Sequence, residues 1–228
     1  MKCKNMLFFL WLLLLKSIQI YCNTIEERQR VFVGEKALPF CAKAVIDSEV
    51  KEISLNDFQD RYKVIFFYPL DFTFVCPTEI LAFQEKLPEF EALNTQIIGI
   101  SVDSVYAHSA WLNMPRTEGG IKGVTFPLVS DIHRVISRDY GVLCEKEGIA
   151  LRGVFILDRE NIVQSIHVNN LPLGRNVDEI IRLIKALQHI EISGNVCPVN
   201  WQENTDSFTA THEGLLSYIN KKYMDKTI

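Results

Sequence analysis

The chain has 228 residues, of which 48% are hydrophobic and 23% charged, and it carries a net charge of −4. This is an ordinary globular composition, long enough for one or two domains. The acidic balance and the lack of a Lys/Arg cluster argue against nucleic acid as a partner. None of the six cysteines forms a C-x-x-C pair, so the common zinc and dithiol spacings are excluded.

Lys2 and Lys4 precede an apolar run over residues 6–15. That run is shorter than the roughly 20 residues of a membrane span, and it matches the charged and apolar regions of a secretory signal peptide. Residues 1–22 are therefore expected to be a targeting segment cleaved after Cys22. The mature form would then enter the secretory pathway (endoplasmic reticulum or secretion) with no membrane partner. The alternative is a mitochondrial transit peptide, which favours Arg, and the first Arg here is Arg28. Cleavage would remove Lys2, Lys4 and Lys16 and no acid, taking the charge from −4 to −7 and leaving Cys41, Cys76, Cys144 and Cys197.

Residues 24–36 read as a polar lead-in. Residues 37–45 suggest an edge strand, and Ile53, Leu55 and Phe58 suggest a short turn. Residues 64–68 (V-I-F-F-Y) are β-branched and aromatic, a buried strand that Pro69 ends. Ile80, Leu81, Phe83 and Leu87 recur at helical spacing. They predict a helix to about Asn94, with a kink or restart at Pro88. Residues 96–102 read as a second buried strand, and Asp103 and Ser104 as caps for a helix carrying Trp111 and Leu112. Gly119, Gly120 and Gly123 mark a loop. Residues 126–129 suggest a short strand, and Asp131 starts a helix that Gly141 stops. Residues 153–157 and 162–168 form a hairpin around the turn at 158–161. Val177, Ile180, Ile181, Ile184 and Leu187 define an amphipathic helix over residues 176–189. After about residue 193 the pattern turns polar, and Leu215, Leu216, Tyr218 and Ile219 predict a short terminal helix. The alternation predicts an α/β layer fold with a mixed sheet flanked by helices over residues 31–192. Residues 193–228 read as a C-terminal arm.

Cys76 stands between the first core strand and its helix. Pro77 favours the first helical position, which makes Cys76 the expected N-cap and Glu79 its capping-box partner. A thiol there faces free backbone N–H groups and the positive end of the helix dipole, which favour the nucleophilic thiolate. The bland alternative is a buried cysteine acting as a small hydrophobe. Thr73, one turn upstream, and the stiffening prolines Pro69 and Pro77 favour the reactive reading.

The segment P-L-D-F-T-F-V-C-P-T-E closely resembles the P-x-x-x-T/S-x-x-C motif of peroxiredoxins. G-N-V-C-P-V-N-W at residues 194–201 resembles the second-cysteine motif of the typical two-cysteine class. The resemblance continues through S-V-D-S-V-Y-A-H-S-A-W, F-P-L-V-S-D and L-R-G-V-F-I-L-D, covering nearly everything after about Val31. It implies a thioredoxin-like fold and the thiol-dependent reduction of hydrogen peroxide and alkyl hydroperoxides, with no cofactor and no metal. Cys76 falls on the peroxidatic cysteine, Thr73 on the hydroxyl that bonds it, and Pro69 on the proline that shields the site. Arg152 falls on a distant arginine that completes the site, and Cys197 on the resolving cysteine. In the family, the sulfenic acid of the first cysteine condenses with the second across a homodimer. Thioredoxin or a similar dithiol then reduces the disulfide, and dimers assemble into decamers.

Residue chemistry suits these roles. Arg152 offers a fixed fork of donors and keeps its proton, and sulfenic acid condenses readily with a thiol. His108 reads as a helix-face residue, Trp111 as packing, and Cys41 and Cys144 as structural. Many members carry G-G-L-G and Y-F, a pair linked to inactivation by overoxidation. Here Lys122 replaces the final glycine, and Tyr218-Ile219 replaces Y-F, which predicts an arm that unfolds more easily and resistance to overoxidation. Two other function classes remain open at this stage. A chaperone-like assembly would keep holdase activity without Cys76, and a dithiol oxidoreductase is disfavoured by the missing C-x-x-C.

Overall fold

A computed structural model describes residues 31–224; the leader lies outside them. Its centre is a seven-stranded mixed sheet in the order β2-β1-β5-β4-β3-β8-β9. Strand β3 (Tyr62–Phe67) lies near the middle because both of its faces are apolar. It pairs in parallel with β4 (Thr95–Ser101) and antiparallel with β8 (Arg152–Leu157). Strand β9 (Val163–Asn169) closes one edge as the second arm of the predicted hairpin.

Period-two alternation along β3 divides the core. Tyr62, Val64, Phe66 and Tyr68 face one layer, with Cys76, Ile80, Phe83, Phe90, Trp111, Ile180 and Ile184. Ile65 and Phe67 face the other, with Phe40, Ala44, Val129, Ile136, Tyr140 and Phe155. The first layer is built by helices α1 (Cys76–Glu85), α2 (Leu87–Ala92), α3 (Val105–Asn113) and α5 (Val177–Ser193). Pro88 sits in the first turn of α2, so the predicted helix does restart there. Ser104 caps α3 by accepting from Ala107 N–H. The short helix α4 (Val135–Asp139) belongs to the second layer.

The expected edge strand is β1 (Cys41–Ile46), and it is not an edge. Strand β2 (Glu49–Ser54) pairs outside it, and β5 (Leu128–Ser130) inside it. The sequence E-V-K-E-I-S hides β2, since its first four residues are all exposed and carry no alternation. A two-residue pair, β6 (Leu143–Cys144) with β7 (Ile149–Ala150), was also not predicted. Helix α5 ends where Gly194 takes φ +69, a left-handed C′ position. The arm follows. Val196 bridges to Phe208, and the terminal helix α6 (His212–Ile219) stacks Tyr218 on Phe208 at 4.9 Å.

Candidate active site

Cys76 lies in the first turn of α1 and is completely buried. The expected capping box is absent. Val75 precedes the helix with φ −80 and ψ −35, already helical, and no side chain caps it. Glu79 is drawn away because it meets stronger partners than a backbone N–H. Its carboxylate accepts from Arg152 Nη1 at 2.6 Å, from Arg175 Nε and Nη2 at 2.8 Å each, and from the Arg175 backbone N–H at 3.1 Å. These are charge-assisted bonds, the stronger kind.

Arg152 opens β8 with its side chain 5% exposed, so it is not a surface residue. Its Nη1 lies 3.5 Å from Cys76 Sγ, and its Nε donates to Leu171 O at 2.6 Å. Arg175 ties this corner to the sheet, donating from Nη1 to Phe67 O (2.6 Å) and Gly153 O (3.0 Å). Burial pulls the Arg175 pKa down, and the Glu79 carboxylate opposes that pull. Two guanidinium groups and one carboxylate leave the enclosed corner with one positive charge in excess. The corner therefore favours a negative charge beside it, because unbalanced buried charge is costly.

Pro69 is buried just after β3. The Thr73 hydroxyl donates to Leu70 O at 2.9 Å, within its own turn, rather than to the sulfur. Phe72 between them has φ +55, an uncommon conformation for a bulky residue. Its ring packs 5.7 Å from Trp111. Cys197 is half-buried on the arm and is a free thiol, as are Cys41, Cys76 and Cys144. Its Sγ lies 3.6 Å from Ala186 O on α5.

The AhpC/TSA family profile matches residues 33–166, and the profile of the C-terminal domain of 1-Cys peroxiredoxin matches residues 186–223. The chain belongs to the peroxiredoxins. Peroxiredoxin-2 of Bos taurus is 46% identical over 192 residues, covering 84% of this chain and 96% of the relative. The mitochondrial thioredoxin-dependent peroxide reductase of Mus musculus is 49% identical over 189 residues, covering 83% and 74%. The reduced 2-Cys peroxiredoxin of Plasmodium vivax superposes with TM-score 0.81 at 44% identity, over 83% of this chain and 99% of that one. This peroxiredoxin is accordingly an oxidoreductase of the thiol peroxidase type, with a thioredoxin-like fold.

Sequence reasoning missed two features of this peroxiredoxin. Arg175 was not singled out, although it is the main partner of Glu79; a lone arginine just before an amphipathic helix carries no motif of its own. The second is a buried polar chain. His108 is fully buried, not a helix-face residue, and its Nδ1 lies 2.7 Å from Asp71 Oδ2. Tyr68 donates to Asp71 Oδ1 at 2.9 Å, and Asp71 N–H donates to Asp103 at 2.9 Å. Asp103 was expected to cap α3 and instead anchors the Cys76 loop. Trp111 is core, donating to Gly119 O at 2.9 Å. Cys41 is exposed, which removes the reading of it as a packed structural cysteine.

Proposed function

We propose that Cys76 attacks a hydroperoxide as the thiolate and that Cys197 resolves the product. The observation that carries this reading is the charged corner of Arg152, Glu79 and Arg175, with a guanidinium 3.5 Å from a buried sulfur. Cys76 S⁻ takes the terminal peroxide oxygen, the O–O bond breaks, and water or an alcohol leaves after protonation. Arg152 receives the developing oxygen charge, as preorganised donors do. Thr73 turns its hydroxyl from Leu70 O to the peroxide, and Pro69 keeps water out. The sulfenic acid then condenses with the Cys197 thiol, forming a disulfide and releasing water.

The substrates are hydrogen peroxide and small alkyl hydroperoxides. Thioredoxin or a similar dithiol returns the disulfide to two thiols by exchange; the printed name of the mouse relative supports that reductant. The unit of resolution is a homodimer, and dimers assemble further, to a decamer on the family pattern. Phe72 and Phe74 in the loop before Cys76 and Tyr106 on α3 support assembly, since they are 53%, 94% and 80% exposed. The leader directs the chain either to the secretory pathway, as its lysines and apolar run favour, or to the mitochondrion, as the mouse relative's name favours. A fusion of residues 1–30 to a fluorescent protein separates the two.

The cycle is tested by non-reducing electrophoresis of wild type, Cys76→Ser and Cys197→Ser, before and after one equivalent of peroxide. A peroxide-dependent dimer in wild type, lost in both variants, is the expected result. An oxidised wild type that stays monomeric would remove Cys197 from its role.

A further inference from the structure

The layer opposite Cys76 holds a cavity that the peroxide chemistry does not use. It encloses about 320 Å³ between the lead-in segment at residues 38–42, the end of β5 and helix α4. Phe40, Ile136 and Tyr140 form its walls and are buried, while Val135 borders it at 52% exposed.

These walls are fixed before any ligand arrives. Tyr140 donates its hydroxyl to Leu38 O at 2.9 Å, which ties the lead-in segment to the end of α4. Its ring packs edge-on against Phe155 at 5.0 Å and lies 5.4 Å from Phe67, so the far side of that wall is core. The Asp131 carboxylate accepts from Ile136 N–H at 3.0 Å and from Ser137 N–H at 2.8 Å, which sets the start of α4. A preformed apolar cavity with a few polar groups at its edge is the usual form of a small-molecule site. Little ordering is left for a ligand to offset.

The edge favours one sign of charge. No lysine or arginine lines the cavity, whereas Asp131 and Asp139 do, with His133 beside them. Asp131 commits both oxygens to α4. The Asp139 side chain has no hydrogen-bond or ion-pair partner among the described residues. Arg138, next to it in sequence, is engaged by both carboxylate oxygens of Glu145, at 2.8 and 3.2 Å.

We propose that this cavity binds a compact aromatic molecule carrying one ammonium group, its apolar body between Phe40, Ile136 and Tyr140 and its cation at Asp139. The size follows from the volume. An apolar cavity of about 150 Å³ holds benzene, so this one takes about two fused rings. Cys41 lines the same cavity and is an exposed free thiol, so its labelling reads occupancy.

The test uses the purified protein with its cysteines reduced, at pH 8, where a histidine titrating near about 6.5 is neutral. Three probes share one ring system: naphthalen-2-ylmethanamine, naphthalen-2-ylmethanol and naphthalene-2-carboxylate. Calorimetric titration reads binding. Labelling by methyl methanethiosulfonate, resolved by mass spectrometry, compares Cys41 with Cys144. The amine should bind best, with Kd below about 1 mM for its dozen or so non-hydrogen atoms. At about ten times Kd the free cavity falls to roughly one-tenth, so labelling of Cys41 should slow by up to about tenfold and that of Cys144 should not change. Asp139→Asn should weaken the amine about three- to fivefold, the scale of one exposed ion pair, and leave the alcohol unchanged. Val135→Trp should abolish binding of both by filling the cavity. Val135 is exposed, so that variant folds, and its first oxidation of Cys76 should match wild type. Cys41 labelling that no probe slows overturns the proposal, as does a carboxylate that binds as tightly as the amine. Cys41 protection that follows protein concentration instead of the amine puts a second copy over the cavity and overturns it too.

Discussion

Cys76 and Cys197 sit in opposite kinds of surroundings. Cys76 has no exposed surface, and the charged groups beside it are 3–5% exposed. Arg175 fastens that corner to the backbone of Phe67 and Gly153. Cys197 is half-buried, and an ion pair between its arm and α5, Lys185–Glu203, is 25% and 61% exposed. Removing one member of a buried ionic network costs several kcal/mol, whereas an exposed pair is worth about 0.2–1 kcal/mol. The difference matches two tasks. In the proposed cycle, one thiol is held for in-line attack on an O–O bond and the other travels to meet it.

The comparison breaks most visibly at Glu79. Glu79→Gln leaves two buried guanidinium groups facing an amide, and the fold should lose about 3–5 kcal/mol. Guanidinium unfolding at neutral pH measures it. A loss below about 1 kcal/mol would mean that the corner is solvated and that the rigid half of the comparison is wrong.

Arg152→Lys comes next. Lysine keeps the charge but loses the fork that reaches Glu79, Leu171 O and the sulfur together. Oxidation of Cys76, followed by stopped flow, should slow roughly 100-fold, as when one preorganised donor is lost. The resolution step should be unaffected, because Cys197 touches none of these groups. Equal slowing of both steps would erase the distinction between the two regions.

Much of this arrangement was legible in the chain. The β-branched runs at β3 and β4, the restart at Pro88 and the amphipathic face of α5 are local signals, and they read correctly. The position of Cys76 at a strand-to-helix turn followed from Pro69 and Pro77. Glu79 was misread because its helix position suggested a cap, while its actual partners stand 73 and 96 residues away. The same holds for Asp71 and His108, 37 residues apart. Strand β2 was missed because a charged edge strand that buries only Ile53 shows no alternation. Local periodicity reports which surface is covered; it is silent on which distant charge arrives to pair.

The Asp71 network gives a third, smaller effect confined to the Cys76 region. Burial pushes the Asp71 carboxyl up, and the bonds to His108 and Tyr68 only partly hold it down. The native carboxyl therefore keeps a proton at pH values where an unfolded aspartate, near about 3.9, has lost it. The native state binds more protons, so this contribution is fully present below the unfolded value and is lost as pH rises through the raised one. The slope is at most about 1.4 kcal/mol per pH unit. Asp71→Asn should flatten the dependence of unfolding free energy on pH above about 4, the unfolded aspartate's range. Parallel curves for the two proteins would show that Asp71 titrates as an ordinary aspartate.

The smallest effect sharpens the arm side. Ile219 ends α6 beside Tyr218, and it is 37% exposed where Tyr218 is 8% exposed. Ile219→Phe restores the Y-F pair that the resemblance links to overoxidation. A second ring next to the Tyr218–Phe208 stack adds docking worth about 0.5 kcal/mol, the low end for an aromatic pair. That is about a twofold smaller fraction of undocked arm. The sulfinic yield per turnover should therefore rise about twofold, with first oxidation of Cys76 unchanged. If Ile219→Phe instead lowers the sulfinic yield, the terminal helix guides Cys197 toward Cys76 rather than holding it back.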